Sequence, residues 1–431
     1  MFLPNIFTKA GFFKYFKNTS WLILQNGLKI LAAIFIGAWI ARYLGPTQFG
    51  TLNFAISFVA IFGSISSLGI QNIFIRELVK NNFDEDQIIS TSFAVMFIGA
   101  FISFFLIYFS LFFFNFEKDV NLIIIFISFS IFFQVFNFID FFFQSKVLSK
   151  YIAFTNIICL LFSTMFKVYL IIFDYPLLYF AFALSFDAFI IAIGYLIFFF
   201  RKSKFYLKNF KPIFSIALYL LKESWPLLIS AIMITVYMKI DQIMIAQILN
   251  TTMLGYYAAG VTISSSFHFL PMVIAASVFP AIAQLIFDDR KLFDIRVKYL
   301  HRLMIFTAIS LSLIIFSASD FLVNILFTNK YQLTSEVLKV HIFASIFVFI
   351  GVSNAKWLLA NNLQLYSLIN TIIGALTNIL LNFIFIPKFG IIGSAWATLL
   401  SYFVADYLCL LIWPKTRESF YLISKALLFL K

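Results

Sequence analysis

The chain has 431 residues, of which 63% are hydrophobic and only 11% are charged, and its net charge is +13. A soluble domain is about 45–50% apolar and about 25% charged, so this composition excludes a cytosolic enzyme, a nucleic-acid-binding domain and a disordered tail. We therefore predict an all-α integral membrane protein. Cys159 and Cys409 lie in apolar runs without metal-ligand spacing, and neither a disulfide framework nor a metal site is expected.

Twelve apolar runs are long enough to cross a bilayer, since a spanning helix needs about 20 mainly apolar residues. Ahead of them, residues 1–20 lack the apolar core of a cleavable signal peptide and fit an amphipathic helix on the membrane surface. The eighth run is too long for one straight span, and Pro271 and Pro280 are expected to bend it or let it project. The predicted spans are 21–41, 51–70, 91–114, 121–140, 152–172, 177–200, 224–249, 253–285, 303–327, 338–359, 365–386 and 391–413.

The distribution of positive charge predicts the orientation of these spans. If the N-terminus is cytoplasmic, 22 of the 31 Lys and Arg residues fall in inside segments and only five in outside segments. Both termini are therefore predicted to be cytoplasmic. The basic linker at 201–223 is predicted to form a second amphipathic surface helix, and it divides the chain into six-helix bundles at 1–200 and 224–431.

The two halves begin with similar segments. Residues 44–50 (LGPTQFG) correspond to residues 249–255 (LNTTMLG), and Gly50 corresponds to Gly255 with an offset of 205. Six-helix halves enter the membrane from the same side, so the repeats are predicted to be parallel and related by a pseudo-two-fold axis along the membrane normal. Two similar halves around a central path are typical of an alternating-access transporter.

The first of these segments has a direct physical interpretation. Gly45 and Pro46 are expected to stop the first helix, and Gly50 to let the chain turn into the second. Arg42, immediately before this turn, either snorkels to the outer interface or faces a cavity.

Several segments resemble the signatures of the polysaccharide-precursor flippases, the Wzx-like translocases of O-antigen repeat units. This family belongs to the multidrug/oligosaccharidyl-lipid/polysaccharide superfamily, with the MATE exporters and the peptidoglycan-precursor flippases. The resemblance implies a MATE-like fold in a bacterial inner membrane. It also implies export of undecaprenyl-pyrophosphate-linked oligosaccharide to the outer leaflet, beside glycosyltransferases and a repeat-unit polymerase. The matching segments are 40–50 (IARYLGPTQFG), 53–55 (NFA), 69–72 (GIQN), 76–77 (RE), 241–245 (DQIMI) and 255–259 (GYYAA).

Charged residues within the spans are candidate functional residues, because each is costly unless it faces protein or water. Lys29 lies roughly 12 Å into the first span and has no carboxylate one turn away on its own helix, so it is expected to face a hydrated cavity or to pair with another helix. The resemblance implies a pyrophosphate for it to bind. Arg42, Lys239 and Lys356 are further candidate substrate contacts. Asp241 is a candidate site for a coupling Na⁺ or H⁺, or a structural hydrogen-bond acceptor.

Two other polar features have simpler interpretations. Lys167 and Asp187 lie at similar depths on consecutive antiparallel helices and are predicted to form a salt bridge. His268, one turn before Pro271, is expected to have a packing role, although a histidine titrates near neutral pH.

No catalytic constellation and no ATP-binding loop is present in the sequence. A transporter is therefore predicted rather than an enzyme, with no cofactor beyond a coupling ion, and with membrane lipids and a lipid-linked oligosaccharide as its partners. A MATE-type cation or drug exporter coupled to Na⁺ or H⁺ is the first alternative. A membrane enzyme of polysaccharide assembly is the second, and the short outer segments argue against it.

Overall fold

The computed structural model describes residues 9–114, 116–203 and 205–428, and the regular elements in this part of the chain are all helical. Nine of the described helices are long and apolar enough to cross a membrane, and a further pair, Asn329–His341 with Ala344–Ala360, forms a tenth candidate bent by 43°. The chain is therefore a multi-pass all-α membrane protein. Of the predicted surface helix at 1–20, residues 1–8 lie outside the described residues, and residues 9–20 form the beginning of α1.

The helices are numbered in chain order, and short 3₁₀ turns separate several of them. Their bounds are α1 Lys9–Gly63, α2 Gln71–Lys80, α3 Glu85–Phe113, α4 Lys118–Ser128, α5 Ser130–Gln134, α6 Phe138–Ser145, α7 Lys150–Ile172, α8 Leu177–Lys202, α9 Phe214–Ile248, α10 Thr251–Ser265, α11 Phe269–Ala283, α12 Leu285–Asp288, α13 Arg290–Phe327, α14 Gln332–His341, α15 Ala344–Ala360, α16 Gln364–Phe403, α17 Cys409–Ile412 and α18 Arg417–Leu427.

Two of the longest helices are broken at a glycine. In α1, Gly45 has φ 72° and ψ 171°, and Pro46 follows it. In α16, Gly390 has φ 61°, three residues after Pro387. Glycine adopts positive φ without the steric cost that a Cβ imposes, so each helix changes direction there. Each of these two helices thus consists of two helical segments.

The eighth predicted run is interrupted before its first proline. A 3₁₀ turn at Ser266–His268 separates α10 from α11. Pro271 lies in the first turn of α11, where its missing N–H removes no helical hydrogen bond.

The linker differs from the predicted surface helix at 201–223. Helix α8 continues to Lys202, the chain is irregular apart from one 3₁₀ turn, and α9 begins at Phe214 and runs directly into a span. Pro212 cannot donate to a helix, and the Lys211 N–H is instead accepted by Ser90 Oγ at 3.1 Å. The expectation of a continuous amphipathic helix is therefore wrong, because the linker's backbone bonds to side chains of α3.

The chain packs as two compact units. Unit 1 contains Ala55–Thr235 and the described residues up to Ile36, and unit 2 contains Gly37–Phe54 together with the described residues from Val236 onward. The predicted bundles at 1–200 and 224–431 follow the sequence repeat rather than packing, and they remain a prediction. Large apolar side chains fill both cores: Phe74, Phe143, Phe180 and Phe199 in unit 1, and Phe293, Met304, Phe349 and Trp357 in unit 2.

Candidate functional site

The first candidate site is a seam in unit 2, where the second segment of α1 meets α10. The hydroxyl oxygens of Thr47 and Thr252 lie 2.8 Å apart. These two residues occupy equivalent positions of the sequence repeat, since they are separated by 205 residues. The repeat detected in the sequence thus brings its own equivalent residues into contact.

Two glycines permit this close approach. A Cβ on Gly50 would lie 1.7 Å from the carbonyl oxygen of Thr251, and a Cβ on Gly255 would lie 2.0 Å from that of Pro46. The two contacts are related by exchanging the repeats, as in an interface with two-fold symmetry. Gly50 lies inside the helical segment and is required by contact across the seam, so the expectation that it turns the chain is corrected.

Next to the seam, hydrogen bonds link the end of the first segment of α1 to α13 and to the turn after α13. Arg42 Nε donates to the carbonyl oxygen of Leu326 at 2.7 Å, in the last turn of α13, where carbonyl groups lack helical partners. Tyr331 OH donates to the carbonyl oxygen of Ala41 at 2.7 Å. Arg42 is exposed, and the contact it makes is with a helix end.

The second candidate site is a buried polar cluster around Asp241 in unit 2. The Asp241 side chain is 4% exposed. One carboxylate oxygen accepts from Tyr257 OH at 2.5 Å, and the other accepts from the Gln242 N–H at 2.7 Å. The Tyr257 hydroxyl also lies 3.3 Å from Thr398 Oγ1. Within the described ranges Asp241 forms no salt bridge, so its hydrogen bonds come from neutral donors, while Lys239, two residues away, contributes an attractive charge.

The cluster continues into α16. Asn378 Nδ2 donates to Thr398 Oγ1 at 3.4 Å and to Ser401 Oγ at 3.2 Å. Asn382 Nδ2 donates to Asn378 Oδ1 at 3.0 Å, while Asn382 Oδ1 accepts from Ser394 Oγ at 2.7 Å. Carboxylate, amide and hydroxyl oxygens are the ligands that hard cations prefer, so this arrangement can hold such an ion or a proton.

Gln242 and Tyr257 lie in the two motifs at 241–245 and 255–259, but charge and spacing in the sequence do not identify them, or Asn378 and Thr398, as the partners of Asp241. A usable signal was present in α16. Asn378 and Asn382 are four residues apart and so share one helix face within an otherwise apolar run. Two amides on one face of a membrane helix require polar partners, since hydrocarbon offers none.

The predicted substrate cations are distributed over both units. Lys29 lies in unit 1 and is exposed, whereas Lys239 and Lys356 lie in unit 2 and are partly buried. Across the described part of the chain none of the three forms a salt bridge. Lys239 lies two residues before Asp241 on α9, where the two side chains point in different directions. Because Lys29 is exposed and has no salt bridge among the described residues, its ammonium group is accessible to a ligand.

The predicted pair in unit 1 is confirmed. Lys167 Nζ lies 2.5 Å from Asp187 Oδ2 and also donates to Ser163 Oγ at 2.8 Å. This pair neutralises itself and leaves no net charge for a ligand. His268 Nε2 lies 3.2 Å from Ser345 Oγ, in agreement with the packing role expected of it.

A further ionic cluster joins α2, which is not a candidate span, to the beginning of α9. Glu77 is buried and accepts hydrogen bonds from Arg76 Nε, Asn82 Nδ2 and Tyr219 OH, at 2.7, 2.7 and 3.2 Å. Arg76 also pairs with Glu223 at 3.1 Å. Burial alone would raise the pKa of Glu77, but the hydrogen bonds from Asn82 and Arg76, the Arg76 charge and the Tyr219 hydroxyl together lower it. The Arg76–Glu77 motif thus has a structural role.

Comparison with known proteins gives both a family and a fold. The family model described as polysaccharide biosynthesis protein matches residues 15–286. No curated protein sequence matches the chain at a significant level.

Three solved structures share the fold over nearly the whole chain. The lipid II flippase MurJ in an inward closed conformation has a TM-score of 0.68 at 19% identity, covering 96% of this chain and 91% of that one. An inward-facing MATE multidrug transporter of the MOP superfamily has a TM-score of 0.65 at 13% identity, covering 94% and 95%. The Vibrio cholerae MATE transporter VcmN in its bent form has a TM-score of 0.60 at 12% identity, covering 97% and 98%. At these identities the likeness establishes the fold alone.

Proposed function

The chain belongs to the polysaccharide biosynthesis protein family, and from this premise we propose that it is a flippase for undecaprenyl-pyrophosphate-linked oligosaccharide. The cargo, an O-antigen or capsule repeat unit, would move from the inner to the outer leaflet of a bacterial inner membrane. The resemblance of residues 40–50 to flippase signatures supports this substrate. The similarity of the fold to that of a lipid II flippase, MurJ, is consistent with this kind of transport.

The observation that carries the proposal is the state of Lys29. It is exposed, it lies within the first candidate span, and it has no salt bridge in the described structure. A cation at that depth is costly unless it meets an anion or water. A pyrophosphate passing through a hydrated interior supplies the anion, and a bond between charged groups is worth about 1.5–3 kcal/mol. Arg42, Lys239 and Lys356 are proposed as secondary contacts along the path.

The proposed topology has twelve crossings with both termini in the cytoplasm. The two long candidates broken at Gly45 and Gly390 each count as two crossings, and the bent pair of α14 and α15 counts as one. The charge distribution then places the seam at the outer side. Alternating access requires the seam to separate, and its symmetric contacts between repeats suit such a movement.

Asp241 is proposed as the coupling site for Na⁺ or H⁺. Its hydrogen-bond donors are neutral and its neighbours are oxygen ligands, so a cation that binds there favours the arrangement in which Tyr257, Asn378 and Thr398 are assembled. A ligand shifts a conformational equilibrium only by binding one state more tightly than the other.

The test is leaflet exchange of a fluorescent undecaprenyl-pyrophosphate oligosaccharide in proteoliposomes. We expect Lys29→Ala to slow exchange about tenfold or more and Lys29→Arg to retain most of it, because arginine keeps the charge at that position. The control is Lys118→Ala, which removes an exposed lysine at the first residue of α4. Equal rates for Lys29→Ala and the native chain would contradict the proposed role of Lys29.

A MATE-type cation exporter is the second candidate, and the buried carboxylate of Asp241 is the observation that favours it. If the proteoliposomes move no lipid-linked sugar but export an organic cation against a Na⁺ or H⁺ gradient, this second assignment replaces the first. The available cation at Lys29 favours an anionic cargo over a cationic one.

A further inference from the structure

We propose that Lys150 on α7 and Lys202 on α8 form a binding site for the phosphate headgroup of an anionic phospholipid. The site lies in unit 1, at the ends of two adjacent antiparallel helices. It is separate from the repeat seam and from Asp241, and it does not depend on the proposed cargo.

The two lysines converge on one aromatic ring. Lys150 Nζ lies 4.8 Å and Lys202 Nζ 5.3 Å from the centroid of the Tyr151 ring. Both side chains are exposed, and neither has a carboxylate partner among the described residues. Two like charges near the same ring repel each other, and an anion that contacts both ammonium groups reduces that repulsion. The geometry therefore favours a bound anion.

A neighbouring lysine, unlike Lys150 and Lys202, has a carboxylate partner. Lys146 lies four residues before Lys150, and its Nζ is 2.5 Å from Glu85 Oε2. That ammonium group is already neutralised by the protein itself. Among the described residues Lys150 and Lys202 contact the Tyr151 ring and no carboxylate, and Arg201 beside them is likewise exposed. The positive charge at this end of α7 and α8 is thus available to a ligand.

Aromatic rings continue from the lysines into the bilayer region. Tyr151 and Phe198 have ring centroids 5.4 Å apart, and Phe198 and Phe154 have centroids 6.3 Å apart. Phe154 is one helical turn inside Lys150, and Phe198 is one turn inside Lys202, which is about 5.4 Å along each helix. Phe154 is 47% exposed. A headgroup at the lysines would therefore place its acyl chains against exposed aromatic surface, which free phosphate would not use.

Close helix packing keeps the two lysines in register. A Cβ on Gly194 of α8 would lie 2.4 Å from Thr155 Cγ2 of α7, so the helices touch one turn beyond Tyr151. The site is consequently preorganised, and binding need not order the helices. The charge distribution predicts that this end faces the cytoplasm, where the membrane leaflet carries anionic lipids.

The experiment is native mass spectrometry of the purified full chain in detergent, titrated with phosphatidylglycerol or with phosphatidylcholine. The variant is K150Q/K202Q, and the matched control is K80Q/K291Q, which removes two exposed lysines elsewhere. We expect the affinity for the first phosphatidylglycerol to fall about thirtyfold in K150Q/K202Q, since a lysine beside an anionic headgroup contributes about fivefold. The control and the phosphatidylcholine titration should not change. Tyr151→Leu, which keeps both charges, should weaken binding less.

Two outcomes would overturn the proposal. An equal loss of affinity in K150Q/K202Q and in K80Q/K291Q would mean that general surface charge binds the lipid. Competition by millimolar inorganic phosphate, with phosphate alone protecting the native chain against heat but not the variant, would make this a site for free phosphate. Melting curves in detergent verify that both double variants are folded before either result is interpreted.

Discussion

The helices that open the two repeats, α1 and α9, agree at their ends but differ in the charges they carry within the membrane. With the offset of 205, Thr47 corresponds to Thr252, whereas Lys29 corresponds to Ile234 and Asp241 corresponds to Ile36. The turn residues are constrained in both copies because each copy packs against the other. No such contact fixes the charges. The first repeat therefore contributes Lys29 and the second Lys239 and Asp241, and neither copy repeats the charges of the other.

The close contact that the two repeats share at the seam can be disrupted by a single methyl group. Gly50→Ala should disfavour the closed seam by about 1–3 kcal/mol, or about 5- to 150-fold in population, because the new Cβ would overlap the Thr251 carbonyl. The measurement is the rate of disulfide formation in T47C/T252C, with and without the alanine. Gly37→Ala is the control, since a Cβ there meets nothing within 4 Å. A crosslinking rate unchanged by Gly50→Ala would contradict the close approach.

The same cysteine pair tests whether the seam moves during transport. Oxidised T47C/T252C should lose exchange of the lipid-linked oligosaccharide and regain it on reduction, because alternating access requires the seam to separate. The native cysteines, Cys159 and Cys409, are buried and should not interfere. Full activity of the oxidised protein would show that this seam is not a gate.

Asp241, which has no charged counterpart in the first repeat, can be tested by removing its charge. Asp241→Asn keeps the shape of the side chain but removes the negative charge, so stimulation of transport by a Na⁺ or H⁺ gradient should fall about tenfold or more. Exchange without a gradient should fall less. The rates are measured in proteoliposomes with each gradient imposed in turn. An undiminished response to both gradients would assign Asp241 a structural role only.

The hydrogen bonds around Asp241 are expected to stabilise the folded protein, and this effect is smaller than that of the Asp241 charge on transport. Tyr257→Phe should lower the free energy of unfolding by about 1–3 kcal/mol, because it removes the donor to one oxygen of a buried carboxylate. Tyr256→Phe is the matched control, since the neighbouring hydroxyl has no hydrogen-bond partner in the described structure. Denaturant unfolding in detergent provides the comparison, and an equal effect of both substitutions would refute the specific role of Tyr257.

The smallest effect is expected outside the membrane, at Glu77. Its pKa is lowered in the folded protein, so its ionised form contributes stability at neutral pH, and that contribution is lost as the pH falls below about 4. Glu77→Gln should flatten the fall in melting temperature between pH 6 and about pH 3.5. The control is Glu223→Gln, whose exposed pair with Arg76 is worth little. Parallel pH profiles for the native chain and Glu77→Gln would contradict the assignment.

The membrane class, the helical fold, the positions of most spans and the repeat whose equivalent residues meet at the seam can all be predicted from the amino-acid sequence. These follow from local properties, because apolar length, glycine and proline act on the segment that contains them. It also predicted the pair of Lys167 and Asp187, since two opposite charges at one depth have few other partners.

Three features become visible only when the helices are packed: the neutral groups around Asp241, the need for glycine at position 50 and the hydrogen bonds that hold the linker. Asn378 and Thr398 reach Asp241 through Tyr257 from a helix more than 120 residues away, and no periodicity encodes such a contact. The Gly50 contact depends on a carbonyl of the other repeat, and the linker on the side chain of Ser90. Hydrogen bonds and close approach depend on distances between segments, and these are fixed when the helices pack.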